Sequence, residues 1–334
     1  MRPLSYVKAP GVDAAIAEVR AHPTSAFLAG GTTEVDLIRL GVARPDLLVD
    51  INDLPLAQIE DLPDGGLRLG ALSRMTDVAR DPRVVRDYPG MSQALLLGAS
   101  EQLRNMASMG GNLCQRVRCA YFRDGVSPCN KREPGSGCSA IEGMNRGHAI
   151  LGTSEHCIAT HPSDVAVALV ALDAVVHTIG PDGARTIPID EFYLLPGATP
   201  QDEHPLAHGE LIAAIDVPAL PVARGSVYVK FRDRRSYEFA LVSVFAALDV
   251  WDGVVAEARI ALGGVGTKPW RARAAEAALV GSPATTETFA LAAQAELSPA
   301  VAHEQNAFKV TLAQRALVRV LGQALEIATN GGAR

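Results

Sequence analysis

Five cysteines occur in this chain of 334 residues, and all of them, Cys114, Cys119, Cys129, Cys138 and Cys157, lie in one short stretch. An odd, bunched set is not a disulfide scaffold. Bunching suits a metal or cluster site, where several thiolates must reach one inorganic core. The same stretch carries a local field to match. From residue 115 to 133, Arg116, Arg118, Arg123, Lys131 and Arg132 face only Asp124 and Glu133, a local excess of three positive charges in a chain of net charge -6. A metal–thiolate core is anionic and is stabilised by cations and N–H donors. Paired C-x2–4-C knuckles, the usual mark of structural zinc, are missing, so iron–sulfur, zinc and free thiols stand as three readings. His148, His156 and His161 are further ligand candidates in that stretch.

Two glycine pairs form the second chemical feature, Gly30-Gly31 and Gly110-Gly111. Adjacent glycines between a strand and a helix let backbone N–H groups point into one concavity, and the helix start adds partial positive charge. An anion fits such a place. Neither G-x-G-x-x-G nor G-x-x-x-x-G-K-[ST] occurs, so a Rossmann fingerprint and a P-loop are both excluded. No G-x-S-x-G or H-E-x-x-H marks a hydrolytic site.

The elements that must position these residues follow from periodicity. Residues 13–21 read as an amphipathic helix stopped by Pro23, 25–29 as a buried strand, and Thr33 with Asp36 as a capping box for a helix ended by Gly41. A strand at 46–51 completes a β-Gly-Gly-α-β unit. Residues 91–104 read as helix, 105–113 as a glycine-broken turn, and 163–173 as helix. A hairpin turns at Pro181-Asp182-Gly183, and 202–208 reads as surface loop. Strands follow at 211–217, 226–231, 240–250 and 254–262, the last two joined at Asp252-Gly253, and helices at 271–280, 287–297 and 306–326. The Pro-rich 218–225 marks a boundary between domains 1–220 and 221–334, with an insertion at about 115–160 in the first.

With 48% apolar and 20% charged residues the chain reads as globular, with enough length for about two domains. Its longest aliphatic run, Val165 to Leu172, is eight residues against the roughly 20 of a membrane helix. No Lys/Arg tract marks a nucleic-acid surface. The opening MRPLSYVKAP has no apolar stretch and no twin arginine, so the expected location is the cytoplasm. A periplasmic location would need export with a Tat-tagged partner.

The segments AGGTT (29–33) and RNMASMGGNL (104–113), in that order, resemble the two pyrophosphate loops of the FAD-binding subunits of molybdenum hydroxylases, the xanthine dehydrogenase and carbon monoxide dehydrogenase family. The resemblance continues through Ser163-Asp164, ELIAAIDVP (210–218), YVKFRDRRSYEFALV (228–242) and GGVGTKPWRARAAEAAL (263–279), nearly the whole chain. It implies an α+β fold: a PCMH/VAO-type FAD-binding domain of two subdomains, then a CO-dehydrogenase-flavoprotein-like C-terminal domain. It implies FAD held by Ala29, Gly30, Gly31, Thr32, Thr33, Glu34, Ser108, Gly110, Gly111 and Asn112. Asp164 would serve the flavin-side hydroxyls, Ile215 would pack on the ring, and Lys230 would sit near it. None of these is implied to be catalytic.

In most of that family, the segment after GGN-[LI] reaches the Ser-Asp helix within about ten residues, whereas here it takes about fifty. The added stretch carries Cys119, Cys129, Cys138 and Cys157 in C-x9-C-x8-C-x18-C spacing. Members with such an insertion, similar to the flavin subunits of periplasmic aldehyde oxidoreductases, carry a [4Fe-4S] cluster there, which implies four ligands with Cys114 as a spectator. The resemblance further implies a heterotrimer with a small [2Fe-2S] subunit and a large molybdenum-cofactor subunit. Electrons from aldehyde oxidation would reach FAD and leave to an external acceptor. The rival readings are a self-sufficient flavin oxidoreductase of the same grip, as in UDP-N-acetylenolpyruvoylglucosamine reductases, and a zinc-binding scaffold.

Overall fold

The computed structural model describes residues 3–331. Three parallel strands open the chain: β1 (Ser5–Lys8), β2 (Ser25–Leu28) and β3 (Leu47–Asp50), ordered β1-β3-β2. Parallel neighbours need crossovers, supplied by the helices Val12–Ala21 and Glu34–Leu40. The central β3 is buried along its length, as its aliphatic LLV run requires.

A five-stranded antiparallel sheet follows, with β4 (Ile59–Asp61), β5 (Leu67–Gly70), β6 (Val175–Gly180), β7 (Gly183–Pro188) and β8 (Leu211–Val217) ordered β4-β5-β8-β6-β7. Its core includes the helices Pro89–Leu97 and Asp164–Ala171. Every residue of the latter is buried, which explains why its sequence is apolar on all sides.

The third sheet is β9 (Val227–Phe231), β10 (Val242–Trp251), β11 (Val254–Gly263) and β12 (Trp270–Arg271), ordered β12-β11-β10-β9. Asp252 and Gly253 both take positive φ, 49° and 74°, the signature of the two-residue hairpin turn. Along β10, Val242, Val244, Ala246 and Leu248 face a core shared with the helices Arg273–Leu279, Thr286–Leu297 and Phe308–Gly331. Phe245 and Ala247, on the opposite pleat, join the core of the five-stranded layer. The third sheet therefore packs on both sides, and the two halves of the chain share this contact.

Several local expectations are corrected. Thr33 precedes its helix in αR geometry with no side-chain cap bond, so the capping box does not form. The 91–104 helix breaks at Gly98-Ala99, where Ala99 is left-handed (φ 49°), and restarts at Glu101 under a Ser100 cap. The second glycine segment is not an open turn. Met109–Leu113 is a short helix capped by the Ser108 side chain, which accepts from the Gly111 N–H.

Residues 115–162 form an ordered segment with only one short helix, Ala120–Arg123, and isolated bridges Cys129↔Cys138 and Ser154↔Cys157. It has its own small core of Val117, Phe122, Cys129, Cys157 and Ala159 against Leu37. Among the described residues, no helix is long and apolar enough to cross a membrane.

Candidate functional site

The two glycine segments meet. A Cβ on Gly30 would lie 2.0 Å from the Met106 carbonyl oxygen, so only glycine permits the approach, and Gly31 takes a left-handed φ of 70°. The second segment is held from below, where Gly110 N donates to Ala71 O (2.8 Å) and Met109 N to Ser73 O (3.0 Å). Between the segments lies a cleft of about 640 Å3, a size typical of small-molecule sites. Ala29, Gly30, Gly31, Thr32, Thr33, Glu34, Ser108, Gly110 and Gly111 all line it.

Sequence reasoning missed two parts of its wall. Arg116, Lys131 and Arg132 reach it from the cysteine segment, and His204 and Leu206 to Ile212 close the other side. The stretch 202–208 is thus not only surface loop. The arginines and lysine were legible as a charge excess, but nothing in their spacing tied them to the glycines. Burial raises the Glu34 carboxyl, against the pull of Arg116.

The remaining expected FAD residues stand outside this cleft. Asn112 accepts from Ser163 Oγ (2.5 Å) and Gln115 Nε2 (3.0 Å). Ser163 caps the following helix, whose first residue, Asp164, is buried and bonded to Tyr228 Oη (2.6 Å) and Lys230 Nζ (2.8 Å). Burial raises the Asp164 carboxyl despite Lys230 and Tyr228. The Lys230 ammonium also donates to Leu97 O (3.2 Å). Ile215 is fully buried in β8, paired with Leu69 and Val176 of the neighbouring strands. Leu211 and Ile212 of the same strand face the cleft instead.

Cys119, Cys129, Cys138 and Cys157 line one small enclosed cavity, whereas Cys114 lines the glycine cleft. Burial pushes the Cys114 thiol up to about 12 and the Cys119 thiol up to about 11. The Cys119 sulfur takes backbone N–H bonds from Phe122 and Tyr121, and His148 Nε2 lies 3.2 Å away. Ala159 N donates to Cys157 Sγ (3.5 Å). Burial raises the Cys157 thiol, opposed by the Lys131 charge. The walls are stapled by Arg132, which donates to the carbonyls of Tyr121, Phe122 and Ser127. Arg123 and Arg118 both reach Asp36 of the helix behind the first glycine pair. Phe122 and Lys131 line the cysteine chamber and the glycine cleft alike, so the two cavities share a wall.

Among the described residues, no three His, Cys, Asp or Glu side chains converge on a point that would hold a metal ion. Of the three candidate histidines, His148 touches a cysteine and His156 lines the chamber. His161 packs edge-on against Tyr193 instead, with ring centroids 4.6 Å apart. Burial lowers His161 to about 3 and His148 to about 4, so both rings are neutral near pH 7.

Residues 2–220 match the family described as the FAD binding domain in molybdopterin dehydrogenase, and residues 227–324 match the CO dehydrogenase flavoprotein C-terminal domain. The chain belongs to the FAD-binding subunits of the molybdenum hydroxylases. It is 51% identical over 304 residues to the aldehyde oxidoreductase FAD-binding subunit PaoB of Escherichia coli K12, covering 90% of this chain and 92% of that one. It is 26% identical to the glyceraldehyde dehydrogenase medium chain of Sulfolobus acidocaldarius, over 83% and 81% of the two chains. Carbon monoxide dehydrogenase from Hydrogenophaga pseudoflava, in a form lacking the Mo-pyranopterin moiety, superimposes with a TM-score of 0.76 at 25% identity over 98% of both chains. As a flavin subunit of this family the chain is an oxidoreductase subunit with the expected α+β architecture. The cleft between its glycine segments fits a dinucleotide. A capped helix start and three cationic side chains surround it, and the close approach of the two segments at Gly30 leaves no room for a Cβ there.

Proposed function

We propose that this chain is the FAD- and [4Fe-4S]-containing electron-transfer subunit of a molybdenum-dependent aldehyde oxidoreductase. The observation that carries the reading is the wall of Phe122 and Lys131 shared by the four-cysteine chamber and the glycine cleft. Bound there, FAD accepts electrons singly or in pairs and a [4Fe-4S] cluster accepts them singly.

Residues 29–34 and 108–112 would hold the pyrophosphate and ribityl chain, with Arg116, Lys131 and Arg132 supplying charge. Asp164 would serve the flavin-side hydroxyls, Ile215 would pack on the ring and Lys230 would sit near it, beyond Asn112 and Ser163. Cys119, Cys129, Cys138 and Cys157 would ligate the cluster and lose their protons on binding it. The donor set fits a polynuclear core: four thiols around one cavity, N–H groups aimed at two of the sulfurs, and cations in the walls. The spacing lacks the paired C-x2–4-C knuckles usual for structural zinc.

On this reading the chain carries two redox sites, and its electrons come from a docked source. The resemblance and the name of the Escherichia coli relative support a heterotrimer with a small [2Fe-2S] subunit and a large molybdenum subunit, an aldehyde as substrate, and an external acceptor beyond FAD. The chain would work in the cytoplasm, or in the periplasm after export with a Tat-tagged partner. The deciding experiment is purification from a native source with visible and EPR spectra, flavin release on denaturation and iron analysis. One FAD, about four iron per chain on that cluster stoichiometry, and co-purifying small and large subunits are expected. A monomer that oxidises aldehydes unaided overturns the subunit reading, and zinc in place of iron overturns the cluster.

A further inference from the structure

We infer that His148 donates a hydrogen bond to the Cys119 thiolate and thereby sets the reduction potential of the cluster, with the C-terminal domain clamping the ring in place. This rests on the cluster reading above.

His148 Nε2 lies 3.2 Å from Cys119 Sγ, while Nδ1 is buried with no hydrogen-bond partner. A ligating thiolate has no proton to give, so the bond requires N–H at Nε2, the tautomer that leaves Nδ1 an acceptor. The ring is fixed through its backbone. His148 N donates to Asn145 O (2.9 Å), and its carbonyl accepts from Lys309 Nζ (3.0 Å) and Asn306 Nδ2 (3.4 Å).

Lys309 is fully buried, and among the described residues no carboxylate pairs with it. Its ammonium donates to the carbonyls of Gly147 (2.9 Å), His148 (3.0 Å) and Gly264 (2.7 Å), using all three protons. Gln305 N donates to Asn145 Oδ1 (3.1 Å), and Asn306 also holds Ala149 O (3.2 Å). A buried lysine is costly to keep. Here two of its three bonds tie the start of the C-terminal helix to Gly147 and His148, and the third reaches Gly264.

Reduction adds negative charge to the cluster and its sulfurs, so an N–H···S bond is stronger in the reduced state and raises the potential. His148 is a positioning residue in this role, since it touches a ligand and not the reacting atoms.

The test is an EPR-monitored dithionite titration of the assembled complex. His148→Phe removes the donor, His148→Gln replaces it with an amide, and Lys309→Gln loosens the clamp without touching Cys119. Full iron is expected in all three. A potential lowered by about 59 mV, a tenfold change in the one-electron equilibrium, is expected for His148→Phe, with smaller shifts of the same sign for the other two. Full iron with an unchanged potential in His148→Phe overturns the inference. So does iron loss in both His148 variants, which would make the ring a requirement for assembly. An unshifted Lys309→Gln potential removes the clamp. Absence of a cluster from the wild-type complex removes the cluster reading itself.

Discussion

The glycine cleft and the cysteine chamber are neighbours built on opposite plans. The cleft draws its walls from elements spread between Val19 and Ile212, and its shape is set largely by backbone: a left-handed Gly31 and a close approach at Gly30. The chamber is lined by residues 117–159 of one segment, and its chemistry is carried by side chains on a chain with little regular structure. A backbone site tolerates change in side chains but not in Cβ content, whereas a side-chain site tolerates irregular backbone but not loss of a ligand.

Substitutions test that contrast, from the largest effect to the smallest. Gly30→Val forces a branched side chain against the Met106 carbonyl, which has no rotamer in which to retreat. Destabilisation of about 3 kcal/mol and flavin-free protein are expected by denaturant unfolding and absorbance at the flavin band. Full flavin occupancy would remove the cleft assignment.

Glu210, on the cleft wall, gives a pH signature. Burial by itself would raise its carboxyl, but Arg185, Thr178 and the Ala207 N–H outweigh this and lower it to about 2. A depressed carboxylate contributes stability above its unfolded value and loses it as pH falls toward the folded one. With half-exposed Arg185 screened by solvent, a loss of about 2 to 3 kcal/mol is expected between about pH 5 and 2. Glu210→Gln should abolish that part of the slope in thermal scans across this range.

Ser108→Ala removes the cap on the second glycine helix and is expected to cost about 1 kcal/mol, while Thr33→Ala, which loses no cap bond, should cost far less. Equal losses would mean that the first segment is capped after all. Cys114→Ser sharpens the boundary between the two sites. It should leave iron unchanged, whereas serine at Cys119, Cys129, Cys138 or Cys157 should each lower iron by elemental analysis.

The sequence carried the β-Gly-Gly-α-β unit, the Asp252-Gly253 hairpin and the buried Asp164–Ala171 helix, because each rests on a local signal: a glycine between periods, a two-residue turn, an unbroken apolar run. The nine residues of 29–34, Ser108, Gly110 and Gly111 were likewise local, and the structure gathers them in one cleft. At Ile215, alternation along β8 names a buried face without saying what covers it. The Asp164–Lys230 pair, 66 residues apart, and the His148–Cys119 contact, 29 apart, arise only from tertiary packing. No period or spacing announces them.

The contiguity of the chamber has a consequence in time. At a synthesis rate of about 5–20 residues per second, the chain has completed the chamber lining at Ala159 roughly 3 to 10 s before the last cleft residue, Ile212, is made. The chamber closes over short loops, while the cleft must wait for β8 to return across long ones. The four thiols can thus be gathered while the flavin has nowhere yet to bind, and Lys309, made later still, fastens a segment already shaped.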